Sequence, residues 1–385
     1  MKIYLIGQKG IPAQAGGIER HVEELSTRLA QSGHEVFVYC RPYYASTADK
    51  NYQGVNLIKL PTIKTKHLDA IVHTFLATLD VLRKEADVIH YHGIGPASLS
   101  FIPKLFKRKA RLIFTFHCQD YKHQKWGAFA RAYLKLGELM GCRTADKIIT
   151  VSQTLKDYVL QKYHLEAVYI PNGLKLPQLG NAKNDLLKKW GLTPDNYILT
   201  VNRLVRHKGI HHLIKAYQQT KTDKKLVIVG GSAYTDNYVN QLKELAGQND
   251  RIVFTGERVN GDLAELFSNA YLYVHPSEAE GLSIAILEAL GYGKTVLVSD
   301  IPENQEIVKN VGFLFKNKDT ENLAAQLRFL LDNPYIVQAT SGLGREHVSK
   351  NFNWQTIARE TMKVYQADLS RRRLIGREVY GQLTK

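Results

Sequence analysis

Two glutamates eight residues apart, Glu280 and Glu288, lie in the segment PSEAEGLSIAILEALGYG, residues 276–293. The apolar run Ala270–Ser277 reads as a strand, so Glu280 falls in the loop beyond its end. A helix is expected to start near Ser283, which puts Glu288 more than one turn in. Helical side chains lean toward the N-terminus, so the Glu288 carboxylate points back toward that loop. A carboxylate is a natural bidentate acceptor for the 2′- and 3′-hydroxyls of a ribose. The unpaired N–H groups of Leu282, Ser283 and Ile284 suit a phosphate. Glu280, closer to the strand end, would meet whatever hangs beyond the phosphates. The plain alternative is one exposed glutamate and one on a helix surface.

Three other segments carry chemistry of the same kind. Arg203 and Lys208, in NRLVRHKG, are two cations in a loop that opens a helix. Arg engages two oxygens at once and Lys acts as a point charge, a pair suited to a diphosphate. Arg206 and His207 between them read as solvent-facing. Adjacent glycines Gly16 and Gly17, just before the first helix, let backbone N–H groups approach an anion closely, unless the turn serves chain geometry alone. In RLIFTFHCQDYKHQKWG (111–127), His117 ends a strand and Asp120 follows. His117 could position a sugar hydroxyl, and Asp120 could accept a proton or contact an acceptor. His90 and His92 alternate along a strand and share a face; His211 and His212 sit on a helix. The spacing offers none of them the companions of a zinc site, so no metal is expected. GYGKT (291–295) imitates the end of a phosphate loop, but a helix precedes it and a strand follows, the reverse of the required order. No Asp-x-Asp occurs anywhere, which fits neutralisation of a diphosphate by Arg, Lys and helix dipoles.

Short apolar runs alternating with helical stretches position these residues. DVIHYHG (87–93), RLIFTFH (111–117), KIITVS (147–152) and AVYIPNG (167–173) continue a strand–helix–strand opening, with helices such as 129–139 and 153–161 between them. After a polar stretch, 175–195, the alternation restarts with YILTVNR (197–203), KLVIVGG (225–231), RIVFTG (251–256), AYLYVHPS (270–277) and KTVLVSD (294–300). Such alternation implies parallel sheets covered by helices. The expected class is α/β, with two doubly wound Rossmann-like domains, 1–173 and 190–350, facing a central cleft. An amphipathic helix near 354–369 opens a C-terminal tail, 354–385, that ends in basic residues including Arg371–Arg373. Ligands in such sheets bind beyond the C-terminal ends of the strands, where the residues above fall.

Bulk properties narrow the classes. At 385 residues the chain exceeds one hydrophobic core. No run reaches the ~18 uncharged apolar residues of a membrane helix, and the N-terminal apolar run is too short for a signal peptide. Three cysteines without CxxC spacing read as free thiols of a cytoplasmic protein. The absent GxGxxG, and the lack of an acidic residue after the second strand, disfavour a nicotinamide dehydrogenase. Net charge is +16, and residues 1–175 hold 25 Lys/Arg against 14 Asp/Glu. That field favours an anionic partner. Its densest patch is Lys104, Lys107, Arg108, Lys109 and Arg111.

With these residues in place, the chain resembles the retaining glycosyltransferases of family 4, which have the GT-B fold. The second half carries NRLVRHKG, IVGG, FTG and PSEAEGLSIAILEAL in the family's order; the first half, IGQKGIPAQAGGIERHVEEL, is similar to the rhamnosyltransferase-like, polysaccharide-biosynthesis branch. The resemblance covers about residues 1–367. It implies that Arg203 and Lys208 hold a donor diphosphate, that Glu288 binds the ribose, and that Glu280 with the backbone of Gly281, Leu282 and Ser283 contacts donor sugar and phosphate. It places Arg258 and Val259 beside the base, Gly16 and Gly17 along the diphosphate, and His117 on the sugar. It further implies that the helix near 354–369 crosses back to the first domain. Family members commonly carry an aromatic residue and a glycine after the Glu-Gly; Leu282 and Ser283 stand there instead. The implied activity is metal-independent, cofactor-free transfer of a hexose or deoxyhexose from a nucleoside-diphosphate sugar to a glycan or lipid-linked acceptor, with retention of configuration. The basic first domain suggests docking to an anionic membrane surface from the cytoplasmic side. A sugar-nucleotide epimerase of the same fold is the nearer rival. A nucleic-acid-binding protein is the distant one, since no nucleic-acid module is present.

Overall fold

The computed structural model describes all residues except 15, 45–49, 66–67, 123–125, 180–184, 260 and 368–385. The basic tail with Arg371–Arg373 therefore lies outside the described residues. The chain divides into two units, 1–172 with 354–385, and 173–353.

Unit 1 holds eight strands: β1 (Lys2–Ile6), β2 (Glu35–Cys40), β3 (Asn51–Tyr52), β4 (Val55–Lys59), β5 (Val88–His92), β6 (Arg111–Phe116), β7 (Lys147–Thr150) and β8 (Val168–Tyr169). Their order across the sheet is β3-β4-β2-β1-β5-β6-β7-β8. Every pairing is parallel except β3 with β4. That hairpin is missing from the sequence reading because its first strand is only two residues long. Its two-residue turn, Gln53-Gly54, has both residues at positive φ, 48° and 88°, the backbone that a twisted hairpin favours. The Gly17–Gln31 helix follows β1 and buries Val22, Leu25 and Leu29, a stripe at helical spacing, in one cluster with Ile3, Leu5, Val36 and Val38. Each such side chain contributes about 1.5–3 kcal/mol on burial. The Trp354–Gln366 helix adds Trp354, Ile357, Ala358, Val364 and Tyr365 to the same cluster, so unit 1 is completed by the far end of the described chain.

Unit 2 is a wholly parallel sheet of six: β9 (Tyr197–Val201), β10 (Lys225–Val229), β11 (Ile252–Gly256), β12 (Leu272–His275), β13 (Val296–Ser299) and β14 (Phe313–Phe315), ordered β11-β10-β9-β12-β13-β14. Its strands are apolar along their length because helices cover both faces. Ile198, Leu226, Ile228, Leu272, Val274 and Leu297 share a core with Leu213, Ile214, Leu323 and Leu327 of the helices. Both units are doubly wound and Rossmann-like, the two halves of the GT-B fold. Most observed strands are shorter than the apolar runs, and His117 and Arg203 are among the residues trimmed from their C-terminal ends. No helix among the described residues is long and apolar enough to cross a membrane.

Candidate active site

In unit 2 the strand order reverses between β9 and β12, and there the loops after both strands sit side by side, the ordinary place for a ligand in such a sheet. The loop after β9 tightens into a short 3-10 turn, Arg206–Lys208, closed by Gly209 at φ 67°. A Cβ on Gly209 would lie 1.9 Å from the carbonyl oxygen of Pro276. Only glycine supplies both the left-handed backbone and this closeness. The approach carries Lys208 onto Glu280.

Glu280 is the hub of the site. Its Oε1 accepts from Lys208 Nζ, from Ser277 Oγ at 2.5 Å and from His275 Nε2 at 2.8 Å. On its other side, the His275 ring places Nδ1 3.0 Å from the Tyr273 hydroxyl. With Tyr273 donating to Nδ1, the proton sits on Nε2 and is directed at Glu280. Ser283 Oγ stands 3.2 Å from the same Nε2 and also caps the Ile284–Gly291 helix by accepting from Ile286 N–H. The side chains of Lys208 and Glu280 are only 13% and 9% exposed. Burial works to raise the Glu280 pKa, but the adjacent Lys208 charge and the His275 hydrogen bond outweigh it and hold the carboxyl well below its usual range. Burial lowers the His275 pKa against the pull of Glu280, so the imidazole is neutral. The arrangement is an ionised carboxylate with three donors on one oxygen.

The remaining candidates of unit 2 differ in how firmly the fold holds them. Arg203 is exposed just beyond β9, and Arg206 is exposed too. His207 is buried at 8%, correcting the solvent-facing expectation: its carbonyl accepts from Glu278 N–H at 2.7 Å, which turns it into the fold. Leu282 and Ser283 are buried, and Glu288 is half-buried on the helix that Ser283 caps, close enough to Tyr273 for its charge, with that of Glu280, to add to the burial that raises the phenol's pKa. Gly281 is buried in the loop. Arg258 donates to Thr255 O at 2.6 Å and lies over the Trp190 ring at 5.0 Å, while Val259 is exposed. Tyr273, Ser277 and His275 are polar neighbours of the Glu280 cluster that the sequence reading did not single out. The signal was available, since Tyr273 and His275 alternate along β12 and must share a face.

In unit 1, Gly16 caps the first helix at φ 104°, and both Gly16 and Gly17 are exposed. The Glu19 carboxylate lies where a Gly16 Cβ would point, and its other oxygen accepts from Lys9 N–H at 3.1 Å. His117, just past β6, is 5% exposed. Its Nε2 is 3.2 Å from His92 Nδ1, one of the two donating. The His21 ring meets His117 edge-on and His92 at a tilt, and His21 Nδ1 is 2.8 Å from Asn172 Oδ1. His90 places Nδ1 against the Tyr365 hydroxyl and Nε2 against Thr115 Oγ1, both at 2.7 Å. Burial holds all four imidazoles neutral: His21 falls to about 4 despite its Asn172 hydrogen bond, and His90, His92 and His117 fall well below their ordinary value. Asp120 opens a short 3-10 turn and accepts from the Cys118 thiol at 3.2 Å. Two groups of metal-ligand type come together where spacing suggested none, His21–His92–His117 and His211–His212–Glu278.

Residues 182–375 match the family described as Glycosyl transferases group 1, and residues 15–176 match Glycosyltransferase Family 4. A glycogen synthase of Mycobacterium tuberculosis is 26% identical, with 95% of each chain covered. An uncharacterized glycosyltransferase of Methanocaldococcus jannaschii is 28% identical over 95% of this chain and 98% of its own. Among solved structures, sucrose-phosphate synthase from Thermosynechococcus elongatus superposes with a TM-score of 0.80 at 24% identity, covering 95% of this chain and 98% of its own. HepE of Anabaena, solved with UDP-glucose, gives 0.77 at 18% identity, covering 95% and 99%.

Two outcomes follow from this geometry. Lys208→Met leaves the Glu280 charge buried without its cation and should cost about 3–5 kcal/mol in urea unfolding. Adding Glu280→Gln should recover part of the loss; a loss that Glu280→Gln leaves unchanged would show the pair is not what Lys208 supports. In unit 1, an unfolded histidine titrates near 6.5 while these four stay neutral to lower pH. The unfolded chain therefore binds more protons as pH falls below about 6.5, and stability is lost in that direction, by about 1.4 kcal/mol per pH unit per histidine. Urea midpoints at pH 7, 6 and 5 should fall steeply, and a flat profile would refute the reading.

Proposed function

The chain belongs to the group 1 glycosyl transferases and transfers sugar, and from that premise we propose that it moves a hexose or deoxyhexose from a nucleoside-diphosphate sugar to a glycan or lipid-linked acceptor with retention of configuration. The observation that carries this reading is the meeting of Lys208, Ser277 and His275 on Glu280, beside the N-terminus of the helix that bears Glu288, at the strand reversal of unit 2. HepE, a protein of the same fold, has been solved with UDP and with UDP-glucose, which supports a uridine diphosphate donor.

In this mechanism the leaving group is a nucleoside diphosphate, and negative charge builds on it as the glycosidic bond breaks. Arg203, Lys208 and the N–H groups of Gly281 to Ile284 stabilise that charge without a metal. A single fixed donor of this kind is worth about 2.7–4 kcal/mol in the transition state. Glu288 accepts the ribose hydroxyls. Glu280, its Oε1 already occupied by three donors, orients Lys208 and meets the donor sugar rather than attacking it. At the strand ends of unit 1, His117 and Asp120 are the candidates for sugar and acceptor hydroxyls, and Gly16 and Gly17 for an anion. Arg258 and Val259 flank the base.

The Lys104–Arg111 patch carries the membrane part of the proposal in a narrower form. Lys104 pairs with Asp146, Lys107 donates to Leu82 O and Lys84 O, and Arg111 donates to Tyr365 O. Arg108 and Lys109 are exposed, next to Phe101, Leu105 and Phe106 on the Phe101–Phe106 helix, with Phe106 75% exposed. Apolar side chains flanked by cations suit an anionic bilayer surface on the cytoplasmic side, where a lipid-linked acceptor would reside.

A thermal-shift series with UDP-, GDP- and dTDP-sugars should pick out one base, because a donor that binds only the folded chain raises its melting temperature. Glu288→Ala should weaken that donor's affinity at least tenfold with the fold intact; an unchanged dissociation constant would remove its ribose role. Turnover to an epimer without any acceptor would favour the epimerase instead. Sedimentation with vesicles should show binding that requires acidic lipid and is lost in Phe106→Asp with Arg108→Glu. Equal binding to neutral vesicles, or none, would discard the membrane surface.

A further inference from the structure

His211 and His212 open the Ile210–Gln218 helix, and Glu278 lies in the loop after β12. Their Nε2 atoms stand 3.8 and 3.5 Å from the same oxygen, Glu278 Oε1. The three ligand atoms lie within 4.8 Å of one another. We propose that His211, His212 and Glu278 form a binding site for a divalent transition-metal ion of the zinc class.

The two imidazoles are held for this role by groups behind them. His211 Nδ1 is 2.8 Å from the Tyr238 hydroxyl, and His212 Nδ1 is 3.2 Å from Thr320 Oγ1. With Nδ1 carrying the proton and donating to those oxygens, each Nε2 turns its lone pair toward Glu278. Outer hydrogen bonds of this kind are what orient histidine ligands. The side chains of the three residues are 12% to 17% exposed, so an ion can reach them and few waters compete inside. The spacings are slightly wider than those set by bonds of about 2.0–2.2 Å, and rotation of the Glu278 side chain closes them. Two nitrogens and one carboxylate select zinc and its neighbours over Mg²⁺ or Ca²⁺, which take oxygen sets. The remaining coordination positions are open to water.

Lys318 opposes the ion. Its ammonium is 3.4 Å from Glu278 Oε2, on a side chain 60% exposed. It partly neutralises the carboxylate and can swing away when a metal arrives. The bound ion would fasten the start of the Ile210–Gln218 helix to the loop that bears Ser277 and Glu280. The other group, His21–His92–His117, is wholly buried, and two of its nitrogens already hydrogen-bond each other, so it reads as a satisfied network. This site does not depend on the transferase reading, and its donor set differs from one that would bridge a diphosphate.

The test is calorimetric titration of the chelator-treated full chain with zinc chloride alone, with magnesium chloride as the comparison. One equivalent of zinc should bind and magnesium should not compete. His212→Ala and Glu278→Gln should each weaken zinc at least tenfold, and Lys318→Ala should tighten it severalfold. Lys318→Ala removes only an exposed side chain and so keeps the test open if a ligand variant fails to fold. Cobalt(II) in place of zinc should give the visible bands of a nitrogen–oxygen site without thiolate charge transfer. No saturable zinc uptake, wild-type affinity in both ligand variants, or uptake lost in His21→Phe instead would overturn the assignment.

Discussion

A carboxylate removed from water must be neutralised where it sits, and much of the switch-point architecture of unit 2 serves that demand for Glu280. The cation comes from the loop after β9, the imidazole from the last residue of β12, and one hydroxyl from the loop between β12 and the next helix. Lys208 and Glu280 belong to different stretches of chain, so the ion pair also fixes the spacing of the two loops. Gly209 makes the arrangement sterically possible, since any Cβ would collide with the Pro276 carbonyl. A buried pair of this sort adds little net stability, but removing one member is costly. Its value is positional: it sets Lys208 at one place and directs the His275 proton at one oxygen.

Unit 1 solves a different problem at its own strand ends. There the polar side chains are histidines, and burial keeps them uncharged, so hydrogen bonds rather than ion pairs arrange them. His90 lies between Tyr365 and Thr115, and His92 meets His117. The Tyr365 hydroxyl comes from the Trp354–Gln366 helix, which ties the end of the described chain to the strand that carries His90 and His92. A neutral imidazole past β6 can exchange hydrogen bonds with a sugar hydroxyl without adding charge. In unit 2, by contrast, the strand ends carry cations, Arg203 and Lys208.

The sequence was most legible where a physical rule has period and direction. Apolar runs marked the buried parallel strands because both faces of such a sheet are covered. The strand ends were read too long, at His117 and Arg203 for example, because apolar periodicity does not register where ladder hydrogen bonding stops. The Asn51–Lys59 hairpin escaped because its first strand is only two residues long and its turn depends on Gln53 at positive φ. Arg203, Lys208, Glu280 and Glu288 were legible as types at strand ends. That Lys208 is bound to Glu280 was not, since no local pattern joins residues that a fold brings together from two strands. The same limit hid the link between Glu278 and His211–His212. It also concealed that Lys104, Lys107 and Arg111 are engaged by the fold, leaving the basic patch smaller than its composition suggests.

The departure at Leu282–Ser283 from the aromatic-glycine pair common in the resembling family has a physical reading. A glycine at the second position would leave the Ile284–Gly291 helix without a side-chain cap. Ser283 provides one, accepting from Ile286 N–H, and sets its oxygen against His275 as well. Replacing such a cap typically costs between a few tenths and about 1 kcal/mol, depending on the substitute. The larger effect is on coupling. The hydroxyl joins the helix start, whose free N–H groups face the proposed phosphate, to the imidazole that donates to Glu280. Leu282, buried beside it, turns the preceding side chain into the core and away from solvent. The loop is thereby held by packing and a hydrogen bond of its own side chains.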